Sequence, residues 1–230
     1  MMDEALVEKL NRGYVCPPDA GPAWREASEY GIDMSLVEDA LSRTPEERLE
    51  QHQRVLNQLL MLKEGAAEDF HHQALVLRLK QHAVKFVVVG GVCGFLHGAS
   101  LVTLDLDVCC PFSIENLKRI NRAISDLHPY HRLTPEKLPF ELTGDLASRL
   151  KNLYLQTDLG PLDCLSEIAG IGNYNAVFER SVPYKSAHGE LRILSLEALI
   201  AAKKTIGRDR DLMTIKLLRA IKEKKEGRKT

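Results

Sequence analysis

The sequence predicts an α+β protein: a small mixed β-sheet, preceded by a helical N-terminal extension and followed by C-terminal helices. Three observations carry this. Helical periodicity dominates residues 44–64 and 195–224, short β-branched or alternating runs lie between them, and an aspartate- and proline-bearing turn joins two of those runs. With 230 residues, 44% of them apolar and 27% charged, the chain is large enough to bury one main core. No stretch approaches the roughly 18 uninterrupted apolar residues of a membrane helix, and Met1–Leu10 carries acids where a signal peptide carries bases. The expectation is a cytoplasmic protein with no membrane partner. The five cysteines form no C-x-x-C pair and are odd in number, so they are expected to be reduced and mostly buried.

From Met1 to about Gly31, Pro17, Pro18, Gly21 and Pro22 interrupt any regular pattern, which predicts an extended arm after one short helix, pinned by Trp24. Thr44-Pro45-Glu46-Glu47 then reads as a helix start. Thr44 caps, Pro45 suits the first helical position, and Glu47 completes a capping box. The helix runs to about Glu64 on Leu49, Val55, Leu56, Leu59, Leu60 and Leu62, with Gly65 as its stop. A second helix, Ala67–His82, presents Phe70, Leu75, Leu77 and Leu79 and leads into a buried strand, Lys85–Val89. Gly90-Gly91 follows, then a short helix, Val92–His97, and a strand, Leu101–Cys109. Ser113 caps a helix to Leu127. Asn152–Gln156 and Leu162–Ser166 form a hairpin about Asp158-Leu159-Gly160-Pro161, a strand spans Leu191–Leu194, and helices cover Ser195–Ile206 and Arg210–Lys224. Gly170-x-Gly172 reads as a loop.

The formal charge of −1 conceals a gradient. Residues 1–60 hold 12 acids and 6 bases, whereas residues 201–230 hold 4 acids and 11 bases. A basic end of this kind attracts polyanions or is a solvated tail.

Chemistry concentrates at Val89-Gly90-Gly91 and at Thr103-Leu104-Asp105-Leu106-Asp107-Val108. Strand alternation would put Thr103, Asp105 and Asp107 on one face, with Val102, Leu104, Leu106 and Val108 in the core. Two carboxylates so close repel unless a cation neutralises them, and oxygen-only ligands favour magnesium or manganese. The diglycine, between a buried strand and a helix, would let a phosphate approach backbone N–H groups with no β-carbon in the way. Neither a P-loop nor a dinucleotide fingerprint is present. His71-His72 lie on consecutive helical positions and make a poor metal pair. His97 is either a hydrogen-bonded structural residue or a phosphate or base contact.

The run from Gly90-Gly91 through His97-Gly98 to Thr103-x-Asp105-x-Asp107 resembles the DNA polymerase beta-like nucleotidyltransferase superfamily. Its motif is Gly-[Gly/Ser] followed about a dozen residues later by Asp-x-[Asp/Glu]. Within the superfamily it looks most like bacterial minimal and abortive-infection, toxin-type nucleotidyltransferases. The resemblance implies a third carboxylate on a neighbouring strand, for which Asp163 in Leu162-Asp163-Cys164-Leu165 is the best match and Asp158 the weaker one. It also implies a phosphate-facing lysine on a C-terminal helix. Lys203 fits, with Lys204 one register away, and Arg208 and Asp211 close the motif. The chain then divides into an extension, residues 1–65, and a nucleotidyltransferase-like domain, residues 66–230.

What the resemblance implies is a magnesium- or manganese-dependent transfer of a nucleotide from a nucleoside triphosphate such as ATP to a hydroxyl. Asp105, Asp107 and Asp163 would hold the metal, and Asp163 would help deprotonate the acceptor. Gly90, Gly91, His97, Thr103, Lys203, Arg208 and Asp211 would bind nucleotide. The acceptor is an RNA end, a protein hydroxyl or a small molecule, and an antitoxin-like protein or a second copy of the chain are candidate partners. Two departures from the family pattern support a rival, a nucleotide-binding or interaction module with weak or no turnover. Leu101 stands where toxin-type relatives usually carry Arg, and Gly91 where many relatives carry Ser.

Overall fold

The computed structural model describes residues 14–64, 71–144, 150–186 and 189–227. The sheet within it has seven strands in the order β3-β4-β5-β2-β1-β9-β8, formed by β1 (Val87–Val88), β2 (Leu106–Cys109), β3 (Tyr130–His131), β4 (Asn152–Thr157), β5 (Gly160–Leu165), β8 (Ser181–Ser186) and β9 (Gly189–Leu194). It is mixed: β2 pairs parallel with β5 and β1 with β9, while the remaining neighbours are antiparallel. A separate two-stranded ribbon joins β6 (Glu167–Ile168) to β7 (Gly172–Asn173). The class is α+β, as the sequence predicts.

Before the sheet come α1 (Pro22–Glu29), α2 (Met34–Ser42), α3 (Pro45–Glu64) and α4 (His72–Gln81). The capping box at α3 is reciprocal: Glu47 N–H donates to Thr44 Oγ1 and Thr44 N–H to Glu47 Oε2, 3.3 and 2.8 Å. The short helix expected near the N-terminus, Phe70 and the stop at Gly65 lie outside the described residues. The extended reading up to Gly31 is corrected, because residues 22–29 are helical. Pro22 stands at the start of α1, where its missing N–H and fixed φ suit a helix, so it initiates rather than breaks. Glu223 supplies the cap from 200 residues away, accepting from Ala23 N–H and Trp24 N–H. Trp24 is buried, its indole donating to Tyr14 Oη.

Between β1 and β2 lies α5 (Gly90–Leu96), and after β2 come α6 (Ile114–Ile124) and a short 3₁₀ turn at Ser125–Leu127, which ends the helix expected to reach Leu127. Ser113 Oγ caps α6 as expected. Helix α7 (Tyr174–Glu179) precedes β8, and α8 (Leu196–Ile206) and α9 (Asp209–Gly227) complete the described chain. Ser195 caps α8. The β4–β5 hairpin turns at Asp158-Leu159, with Gly160 at φ +110°. A single core runs from Trp24 through Leu106, Leu162 and Leu199 to Ile221. No helix among the described residues is long and apolar enough to cross a membrane.

The expected strand at Leu101–Cys109 is shorter than its pattern. It begins at Leu106, and Val102 and Leu104, placed in the core by the alternation argument, are 46% and 48% exposed. Strand partners run out at this point: β5 first meets β2 at Leu162↔Leu106, and β1 reaches only to the Asp107 carbonyl through Val89 N–H. A backbone without a ladder must find other hydrogen-bond partners.

Candidate functional site: an acidic cluster at a diglycine junction

Asp107 and Asp163 are placed by the sheet. They are direct partners in the β2–β5 ladder, and Tyr154 on β4 pairs with Asp163, so the three side chains form a row on the face opposite Leu106, Leu153 and Leu162. Asp105 lies one residue before β2, in a bend. Oxygens of Asp105, Asp107 and Asp163 nevertheless come within 4.8 Å of one another. Two acids from one end of a strand and one from 56 positions later in the chain thus converge.

The loop carrying Asp105 is held by imidazoles from the N-terminal helices. Thr103 N–H donates to His52 Nε2 at 3.1 Å, and His72 Nε2–H donates to the Leu104 carbonyl at 2.9 Å. Thr103 Oγ1 then donates to Asp105 Oδ1 at 2.9 Å. His52 accepts with the same ring nitrogen that His72 uses to donate, so the two rings carry opposite tautomers. His52 is buried against Phe95, ring centroids 4.6 Å apart, and burial drives its pKa down to about 4, with the nearby His72 adding to the shift. The neutral ring is the form that can accept.

Gly90 and Gly91 make space for this chemistry. Gly90 has φ +63°, and a β-carbon there would collide with the Asp107 carboxylate. A β-carbon on Gly91 would lie 2.6 Å from Thr103 Cβ. The Gly91 backbone amide faces the Asp107 carboxylate and acts to lower its pKa, so the amide expected to meet a phosphate has an acid beside it. The absence of Ser at position 91 has a physical reason here: the Thr103 side chain fills that space.

Burial, then Asp105 and Asp163, push the Asp107 carboxyl up to about 7, against the lowering effect of Gly91 N–H and Arg132. Burial also raises Asp163, opposed by Arg132. Arg132, which the sequence reading left in an irregular proline-flanked stretch, is the principal residue it missed. Its Nε donates to Asp163 Oδ1 at 3.2 Å, its Nη2 donates to Asp163 Oδ2, and the same Nη2 lies 3.6 Å from Asp105 Oδ2. No local spacing marks it. His52 was likewise invisible, since its role depends on helix docking.

The other candidates fall elsewhere. His97 is buried and its Nε2–H donates to the Leu194 carbonyl at 2.8 Å, tying α5 to β9; Cys93 Sγ donates to the same oxygen. Lys203 Nζ donates to the buried Asp211 at 3.0 Å, and Arg208 is exposed in the turn between α8 and α9, its carbonyl accepting from Asp211 N–H. Burial pushes the Cys93 thiol up to about 12, with Asp107 and Lys203 acting on it as weaker, opposing charges. Asp158, the weaker third-carboxylate candidate, is paired with His128 in the exposed hairpin turn.

Three carboxylates with half-buried to buried oxygens are a hard, oxygen-only donor set, which fits magnesium or manganese. Gly90 is the second feature that fits, because a β-carbon there would displace the Asp107 carboxylate from the cluster. Compared with known proteins, the chain matches no family model and no curated protein.

Proposed function

We propose that this protein is a divalent-metal-dependent nucleotidyltransferase that moves a nucleoside monophosphate from a triphosphate, ATP among them, to a hydroxyl acceptor. The observation that carries this reading is the convergence of Asp105, Asp107 and Asp163 within 4.8 Å beside Gly90-Gly91. A divalent ion bound by these acids would supply charge neutralisation to the phosphates and to the reacting oxygens. Asp107 and Asp163 fix the site through the β2–β5 ladder, and Asp105 completes it through the Thr103 loop.

In the reaction the acceptor oxygen forms a bond to the α-phosphorus as the bond to the β-phosphate's bridging oxygen breaks, and pyrophosphate leaves. Asp163 takes the hydroxyl proton, in keeping with its place in the row. Lys203, oriented by Asp211, neutralises the departing phosphates, with Arg208 at the exposed turn as a second cation. Thr103 holds Asp105 and lines the nucleotide's approach over Gly90. His97 serves as the anchor of α5 and keeps the diglycine in register with Asp107. We place the activity in the cytoplasm, where nucleoside triphosphates are available, with an RNA end, a protein hydroxyl or a small molecule as acceptor. An antitoxin-like partner fits a toxin-type enzyme and would be detected as a small co-purifying protein.

One observation favours a second reading, a nucleotide-binding module of the same fold with little turnover: the space over Gly91, where many relatives carry Ser, is taken by the Thr103 side chain. Incubation with each labelled nucleoside triphosphate, magnesium and a cell extract separates the two. The enzyme reading expects label transfer that falls at least about 10²-fold in an Asp105→Ala, Asp107→Ala double variant. Equal labelling by both forms contradicts it, and metal-dependent nucleotide binding without transfer favours the module.

A further inference from the structure

Arg132 follows directly on β3, the edge strand of the sheet, and extends its ladder by donating its own N–H to the Tyr154 carbonyl at 3.0 Å. From that edge the side chain crosses the Tyr154 ring, guanidinium carbon 5.9 Å from the ring centroid, to reach the acids. Its fork takes both oxygens of Asp163, and the nitrogen on Oδ2 also faces Asp105 at 3.6 Å. One guanidinium nitrogen therefore stands between two of the three carboxylates. The Arg132 side chain is 28% exposed where the Asp163 side chain is 6% exposed, so it covers the acid on its solvent side.

This is the place a divalent ion would take. Asp105 and Asp163 would hold a shared ion at ordinary oxygen-ligand distances, about 2.0–2.6 Å. A guanidinium nitrogen bonded to one of those acids and facing the other would lie against the ion, and two cations at that separation repel.

We propose that Arg132 is a resident countercation that occupies the position between Asp105 and Asp163 and must swing away, across Tyr154, before an ion can bridge them. The inference rests on the metal-binding reading of the cluster. It explains how a trio of close acids is held together, since the guanidinium offsets their mutual repulsion. It also makes ion loading and anion binding mutually favourable: a triphosphate that accepts the released guanidinium removes the obstacle to the ion. A role limited to orienting Asp163 predicts the opposite sign, because an acid that has lost its orienting partner would bind an ion less well.

The test is a manganese titration of the full chain, followed by the electron paramagnetic resonance of free Mn²⁺, for the wild type, Arg132→Gln and Arg132→Lys. The proposal expects Arg132→Gln to bind Mn²⁺ about tenfold more tightly than the wild type, the order expected when one charge–charge repulsion is removed. Arg132→Lys keeps a cation but loses the fork, so it falls between them and serves alone if the glutamine variant does not fold. Thermal melting supplies a second readout: Arg132→Gln melts lower than the wild type after chelation and gains more on adding Mn²⁺. Unchanged or weaker Mn²⁺ affinity in the variants, with clear binding by the wild type, overturns the role of Arg132 alone. No Mn²⁺ binding by any form overturns the metal reading and this inference with it.

Discussion

The two halves of the acidic cluster are built by different forces. Asp107 and Asp163 sit opposite each other in a strand ladder whose reverse face is Leu106, Val108, Leu162 and Cys164, all at most 1% exposed. Displacing either acid means disturbing the core. Asp105 belongs to a loop that pairs with no strand among the described residues, and its position is set by a relay from His52 to Thr103 and from Thr103 to the carboxylate, with His72 holding Leu104. The lesson is that the N-terminal helices bearing His52 and His72 are part of the site's construction. The strand half should fail through its charge, and the loop half through its geometry.

The largest effect should come from the strand half. Asp107→Asn keeps the shape and removes the charge, so label transfer should fall by about 10²–10⁴-fold. Its effect on stability has the other sign. With its folded pKa raised to about 7, Asp107 keeps a proton between about pH 4 and pH 7 that the unfolded chain has released. The chelated wild type therefore loses stability as pH rises through that window. Asp107→Asn should remove this loss and melt higher than the wild type at pH 8; a lower melting temperature there contradicts the account.

Breaking the loop half should have a smaller effect on transfer and a different pH signature. His52→Leu removes the acceptor for Thr103 N–H, and we expect transfer to fall roughly tenfold to a hundredfold from misplacement of Asp105. Leaving that N–H without its partner should cost about 1–3 kcal/mol in urea unfolding. His52 is held neutral to about pH 4, so the unfolded chain binds a proton between about pH 4 and pH 6.5 that the folded ring refuses. That contribution is lost as pH falls, the reverse of Asp107. His97, also driven down to about 4 by burial, acts in the same direction, so His52→Leu should flatten the acid limb only in part. An unchanged acid limb and unchanged transfer would show that the loop does not depend on His52.

The smallest effect on transfer should appear where the two halves meet. Gly91→Ser sets a β-carbon 2.6 Å from Thr103 Cβ and should destabilise by about 1–3 kcal/mol. Adding Thr103→Gly should recover part of that loss, since it vacates the contested space. Strict additivity of the two changes contradicts this packing account.

How much of this was legible in the sequence follows the same division. The hairpin that presents Asp163 was readable because its turn residues and alternation are local, and Leu106-Asp107-Val108 obeys the expected strand alternation. Asp105 stands out through its Asp-x-Asp spacing, but strand alternation does not extend to it, because alternation cannot reveal that the partner strands stop at Leu106 and the Asp107 carbonyl. Arg132 and His52 reach the cluster across 31 and 51 positions, from a sheet edge and a docked helix, and no short-range pattern encodes either. Pro22 was misread because proline both breaks and starts helices, and only the remote cap from Glu223 decides which. Strand β8 went unread for a related reason: Pro183 argues against a strand interior but is tolerated at a sheet edge, where β8 lies.

The central claim is that the three carboxylates hold a divalent ion as one unit, and an Mn²⁺ titration of the wild type beside Asp107→Asn tests it most directly. We predict saturable binding by the wild type, weakened at least about tenfold by loss of the single Asp107 charge. Binding of equal strength in both proteins, or none in the wild type, would contradict it.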